Sequence, residues 1–315
     1  MLELTHQFFV VIRDEGGREI VRKVVETLQP VYENLLFSAV LGGHMPNDGV
    51  SRPARIEPEF REGKLQGLHA TLGSFEKSYS LDLFRDRALE LLTSKDLVER
   101  HGDGSLLSWD VVAEVQERTK PKRRISVSRE PFPFASSTLE SLSLDPSPDG
   151  VFVSSELLQE LKAETASSLE RERADALTGR LVVDANQRAA VVITGRIPFP
   201  DSADASATHY AFTPEAFKEV QREHQRRDDD QSLAGWHHNH PPPCGRDCLA
   251  HVPACKTATV FLSADDRAVF RASFAAPYHV GLVSGKGSER RPEDPVVRAY
   301  GWRDAVLEEL NYVVC

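Results

Sequence analysis

His238 and His240 stand two residues apart in Gly235-Trp236-His237-His238-Asn239-His240-Pro241, and Asp266 follows in Ser263-Ala264-Asp265-Asp266. In a strand, residues i and i+2 face the same way, so both imidazoles can reach one metal while Asn239 looks to the other face. Two imidazoles do not make a site by themselves, and Asp266 is the third ligand in this reading. Three protein ligands plus a water is the arrangement that leaves zinc open for catalysis. A second set, Cys244, Cys248, His251 and Cys255, has the spacing Cys-x3-Cys-x2-His-x3-Cys. Four soft or borderline ligands this close can wrap a tetrahedral structural zinc, with Gly245 and neighbouring prolines supplying turns. Cys315 stands apart at the terminus and takes no role.

The elements that must position these groups follow from pattern. Ser154 or Ser155 caps a helix with an apolar stripe at Leu157, Leu158 and Leu161. Leu181–Val183 and Ala190–Ile197 read as a hairpin around Asn186-Gln187. Thr208–Phe212 offers another strand. Thr213, with Pro214 at the first helical position, starts a helix that the charged run after it breaks. The strand carrying His238 and His240 comes next, and Tyr278–Val283 and Val297–Trp302 complete the set.

The earlier half reads differently. Thr5–Ile12 fits a buried strand, and Ile20, Val21, Val24, Val25 and Leu28 recur at helical spacing, with Pro30 closing that segment. Strands at Leu68–Leu72, Ser78–Phe84 and Leu106–Val115 and a helix over Asp86–Leu92 make residues 1–115 an N-terminal α+β domain that carries no catalytic motif. Residues 116–150, with the basic cluster Lys120–Arg124 and a Ser/Pro-rich run, read as a solvated linker. Residues 151–315 form the domain that holds both ligand sets. With 315 residues, two domains are the natural expectation, because single cores stop growing near roughly 250 to 300.

Composition narrows the function class. A net charge of −10 argues against nucleic acid as a partner, since phosphate neutralisation needs a basic face. Phe8–Ile12 is too short for a signal-peptide core and lacks preceding lysines, and no run approaches the roughly 18 apolar residues of a membrane span. The expectation is a cytoplasmic protein with no membrane contact. Three of four cysteines crowd into twelve positions, which in a reducing compartment reads as metal binding before disulfides. Arginine far outnumbers lysine, which hints at a bacterial source.

The GWHHNHP stretch followed by SADD resembles the JAMM (MPN-type) zinc metalloprotease pattern, over about residues 151–315. That resemblance implies a mixed sheet flanked by helices, of cytidine-deaminase-like layout. It makes His238, His240 and Asp266 the ligands of a catalytic zinc, and Ser263 the hydroxyl that steadies the attacking water and the tetrahedral intermediate. It also implies hydrolysis of a peptide or isopeptide bond after the tail of a ubiquitin-like protein, in bacteria beside conjugation systems that include antiviral ones. A conjugating or activating enzyme is a further implied partner. This chain departs from the pattern in spending 22 residues, 241–262, between the two motifs, where the family needs about ten.

The family also uses a glutamate three residues before a marker glycine. Taking Gly179 as that glycine puts the slot on Ala176, which can transfer no proton. Three readings stand. The favoured one is a Glu-to-Ala substitution in an otherwise intact site, which makes the chain as written inactive. The second is a natural pseudoenzyme, a binding module for a ubiquitin-like tail. In the third, Glu172 or Asp175 does the work after a register shift, with Glu172 a helical turn from the slot. A peptidase acting on a sulfur-carrier tail is a further possibility.

Overall fold

The computed structural model describes residues 2–4, 6–101, 107–115, 130–145, 147–167, 171–200, 213–227, 230–241, 259–287 and 294–315. These group into two units, one of residues 1–132, 275–277 and 303–307, the other of 133–274, 278–302 and 308–315. Both are mixtures of helix and sheet, so the chain is α+β. Among the described residues no helix is long and apolar enough to cross a membrane.

In the first unit, β1 (Leu2–Leu4), β4 (Ala54–Arg61), β5 (Lys64–Leu72) and β6 (Phe75–Ser80) form one sheet, and β3 (Glu19–Val24), β2 (His6–Arg13) and β7 (Ser108–Val115) form another. The helices are α1 (Gln29–Leu41), α2 (Arg85–Leu92) and α3 (Lys95–His101). The helix expected over Ile20–Leu28 is not there. Glu19–Val24 pairs antiparallel with β2 instead, across a turn at Gly16-Gly17 in which Gly17 has φ 76°. Its β-branched residues suit a pleated strand, and a neighbouring strand within hairpin reach decides the conformation. Pro30 then sits in the first turn of α1 and starts a helix, where its missing N–H costs nothing.

The second unit is built on one mixed sheet. Its strands are β8 (Phe134–Thr138), β9 (Val151–Val153), β10 (Ala174–Val183), β11 (Ala189–Pro198), β12 (Ser232–His240), β13 (Val280–Gly285), β14 (Val296–Arg303), β15 (Val306–Leu310) and β16 (Val313–Val314). Their order is β15-β14-β13-β12-β10-β11-β9-β16, with β8 also on β10. The run read as a linker over 116–150 therefore contributes a strand from Phe134 on, because Phe134 and Thr138 align beside Leu181 and Val183 of β10. Residues 116–129 of that run, and the strand expected at Thr208–Phe212, lie outside the described residues.

Helices cover both faces of this sheet. The apolar stripe of α4 (Ser155–Ser167), Leu157, Leu158 and Leu161, packs with Val153, Leu177, Ile193 and Leu282. Leu161 is fully buried, and cutting it to alanine costs about 2 to 5 kcal/mol in such a setting. On the opposite face Ala216 and Val220 of α5 (Pro214–Arg226) meet Ala174, Ala176 and Ile197. The α5 start is as expected, with the Ala216 N–H donating to Thr213 Oγ1 at 3.2 Å. The short α6 (Ala264–Ser273) lies on this second face too, its Phe270 edge-on to Trp236.

Candidate metal centre

β12 runs between β10, antiparallel to it, and β13, parallel to it. Residues 234–240 are all buried, so every second side chain must find its place on one face or the other. Gly235 makes the close fit to β13 possible. Its φ is 150°, and a Cβ there would meet Val280 O at 1.8 Å.

From Gly235 the even-numbered residues face α6. Trp236, His238 and His240 line up on that side, with the Trp236 and His238 rings stacked at 4.4 Å and 6°. His238 Nε2 and His240 Nε2 lie 2.8 Å apart. Asp266 Oδ1 is 3.3 Å from the first, and Asp266 Oδ2 is 3.5 Å from the second. The three ligand atoms fall within 4.8 Å of one another, and this buried group can hold a metal ion.

Local structure presents each lone pair. His240 Nδ1 donates to Thr259 O at 2.6 Å, which fixes the tautomer and leaves Nε2 as the lone-pair nitrogen. Asp266 is the third residue of α6 in a capping box: its N–H donates to Ser263 Oγ at 3.1 Å, and the Ser263 N–H donates to Asp266 Oδ2 at 2.7 Å. Ser263 thus orients the carboxylate. Its hydroxyl proton is not spent in that bond. His238 Nδ1 is buried with no hydrogen-bond partner in the described residues, so stacking on Trp236 orients that ring.

The electrostatics agree with a cation site. Burial works to raise the Asp266 carboxyl, but the imidazoles, His238 foremost, hold it well below the ordinary carboxylate range. Burial pushes His238 down to about 4, which keeps its ring neutral and available as a ligand. His240 is raised: burial opposes its charge, and the contact with Asp266 outweighs that. The set of two nitrogens and one carboxylate oxygen fits a borderline divalent ion such as zinc.

Ala176 is not part of this group. It pairs with Trp236 and Ile197 and packs in the apolar cluster under α5. Glu172 is the carboxylate beside the ligands, its Oε1 3.8 Å from His240 Nε2 and its side chain buried. Burial pushes it up to about 7, with His240 pulling the other way. The reason is conformational. Ala174–Val183 is strand rather than helix, and Glu172, just ahead of it, lies beside His240. The bond from Asn239 N–H to Arg173 O carries the β10–β12 ladder past Ala174, which brings Glu172 alongside His240. Position 176 lies four residues further on, about 13 Å at the usual strand rise.

A buried polar set behind β12 was also missed. His237 Nδ1 donates to Asp175 Oδ2 at 2.8 Å, and His237 Nε2 lies 2.7 Å from Ser284 Oγ. Ser284 Oγ is 2.6 Å from Thr165 Oγ1, whose own proton goes to Leu161 O at 2.7 Å. Asp175 also accepts from Arg196, which pairs with Glu164 as well. Burial works to raise Asp175, but the bond from His237 leaves it lowered. The second proposed ligand set, Cys244, Cys248, His251 and Cys255, lies outside the described residues. Cys315 is exposed and free.

No family model and no curated protein matches the chain. Among solved structures it is similar to a Desulfitobacterium hafniense protein, at 18% identity and a TM-score of 0.35 over 52% of this chain and 92% of that one. It is also similar to a Salinibacter ruber protein, at 13% identity and a TM-score of 0.31 over 52% of this chain and 90% of that one. At these scores neither likeness says what the chain does.

Proposed function

We propose that the chain is a JAMM-type zinc metallopeptidase that cleaves the peptide or isopeptide bond after the tail of a ubiquitin-like protein, in a bacterial conjugation system. The observation that carries this reading is the buried Glu172 carboxylate 3.8 Å from His240, in the same cluster as His238 and Asp266. The resemblance of the GWHHNHP and SADD motifs supplies the reaction class and the substrate class.

His238, His240 and Asp266 would hold the zinc, which when bound polarises the scissile carbonyl and acidifies a water. Glu172 is the general base in this proposal: its carboxylate takes a proton from the attacking water and delivers it to the leaving amine as the C–N bond breaks. Its buried setting suits that work, because a carboxyl raised to about 7 can both accept and return a proton near neutral pH. Ser263 donates its hydroxyl proton towards the carbonyl oxygen as negative charge develops. With Glu172 in the role first assigned to position 176, the chain as written is proposed to be active. The binding-module alternative, which rested on an absent glutamate, loses its motive.

The test is metal content by elemental analysis, together with cleavage of a panel of ubiquitin-like proteins carrying a C-terminal fluorogenic amide. Glu172→Gln should keep its metal and lose cleavage. A chain that holds no zinc, or a Glu172→Gln variant that cleaves like the wild type, sinks the proposal. A second zinc per chain, lost in Cys244→Ser, is expected if the cysteine set is a structural site.

A further inference from the structure

Asn239 lies between the two histidine ligands and faces the other way. Its side chain is 1% exposed and reaches across to the stretch that carries Glu172. The Arg173 N–H donates to Asn239 Oδ1 at 2.5 Å, and Asn239 Nδ2 donates to Arg171 O at 3.3 Å. From the main chain, the Asn239 N–H donates to Arg173 O at 3.1 Å. The residues before and after Glu172 are thus both tied to one side chain.

The chemistry of the tie is specific to an amide. One donor and one acceptor on a planar group can bridge a carbonyl and an N–H at once; a hydroxyl offers a single oxygen, and an ionised carboxylate has no donor. Glu172 precedes the regular pairing of β10, which starts at Ala174, so the ladder alone does not fix its backbone. Asn239 extends the grip by two residues. Since the same residue is covalently flanked by His238 and His240, the spacing between carboxylate and imidazoles is set through one short segment.

We infer that Asn239 is a positioning residue that clamps the backbone on both sides of Glu172 and so holds the carboxylate beside the metal ligands. The catalytic half of this inference rests on the proposed function; the clamp does not. Reactive groups must be held to a fraction of an ångström, and a misplacement of about 1 Å can cost about 10²-fold in rate.

The experiment compares wild type, Asn239→Ala, Asn239→Thr and Glu172→Gln. It reads amide hydrogen exchange at Arg173, zinc affinity by chelator competition, and kcat and KM on the fluorogenic ubiquitin-like amides. In Asn239→Ala, Arg173 exchange should rise about tenfold or more, zinc affinity should stay within about threefold, and kcat should fall about 10- to 100-fold at nearly unchanged KM. Asn239→Thr should do the same to a smaller degree, and it replaces the alanine variant if that one does not fold. Unchanged exchange at Arg173 overturns the clamp. Full kcat in Asn239→Ala while Glu172→Gln is dead overturns the positioning role alone, as does zinc affinity that falls in step with kcat. Should the wild type cleave none of the amides, the functional reading fails and the exchange result alone decides the clamp.

Discussion

The two faces of β12 are equally buried and equally polar, yet they are built to opposite ends. On the face towards α6, His238, His240 and Asp266 turn their free lone pairs on one another, with imidazole nitrogens 2.8 Å apart. On the other face His237 and Asn239 are fully engaged, His237 between Asp175 and Ser284 and Asn239 across Arg171 and Arg173. Buried polar groups are normally hydrogen-bonded, and the second face obeys that rule with protein partners alone. On the first face three such groups converge on one another, in an arrangement that could hold a metal ion. A site is thus recognised by converging acceptors, and burial or polarity taken alone would not have separated the two faces.

That contrast can be broken from either side. The largest effect is expected from His238→Ala or Asp266→Ala, which should lower the metal content by one ion per chain and abolish cleavage. Retained metal would show that the ligand face has been misidentified. Glu172→Gln comes next, with metal retained and the rate down about 10²- to 10⁴-fold. In the wild type the same group sets a pH dependence. Glu172 acts as a base only when ionised, so kcat/KM should fall off as pH drops through about 7, or through a lower value once a divalent cation favours the carboxylate. A profile flat from pH 5 to 8 would remove Glu172 from the role.

The closed face should answer in stability instead. Asp175→Ala leaves His237 and Arg196 without their shared carboxylate in a buried setting, at a cost of about 3 to 5 kcal/mol in thermal or denaturant unfolding. Zinc affinity of the folded fraction should hardly move, and a parallel loss of zinc would mean that the two faces are not separable. Ser263→Ala is the smallest change in stability, about 1 kcal/mol for the lost cap, with a larger loss in rate. A variant that loses stability but no rate would confine Ser263 to capping.

Much of the second unit could be read from pattern. The hairpin of β10 and β11, the Thr213 cap of α5 and the strand at His238 and His240 each depend on residues within a few positions of one another. Misreadings occurred where partners are distant or ambiguous. Ile20–Val25 fits helix and strand periods alike, and pairing with β2 decided for strand. Phe134–Thr138 looked too poor in apolar residues to order itself, but it borrows a neighbour in β10. Glu172 stands in the third reading, a helical turn from the slot, and the pairing of β10 with β12 is what brings this residue, just ahead of β10, beside His240.

By itself, the sequence brought forward three residues that could hold a metal ion: His238 and His240 through the period of a strand, and Asp266 through its place three positions after Ser263 in the SADD motif. These are local geometries, carried by the chain wherever it folds. Only the tertiary structure decided which carboxylate stands next to them and what holds the back of the strand. Arg173 and Asn239 are 66 positions apart, and so the register that delivers Glu172 to His240 is a property of two packed strands. Burial on both faces enforces that register, since a slip of one residue would turn every ligand and every apolar side chain to the wrong side of the sheet.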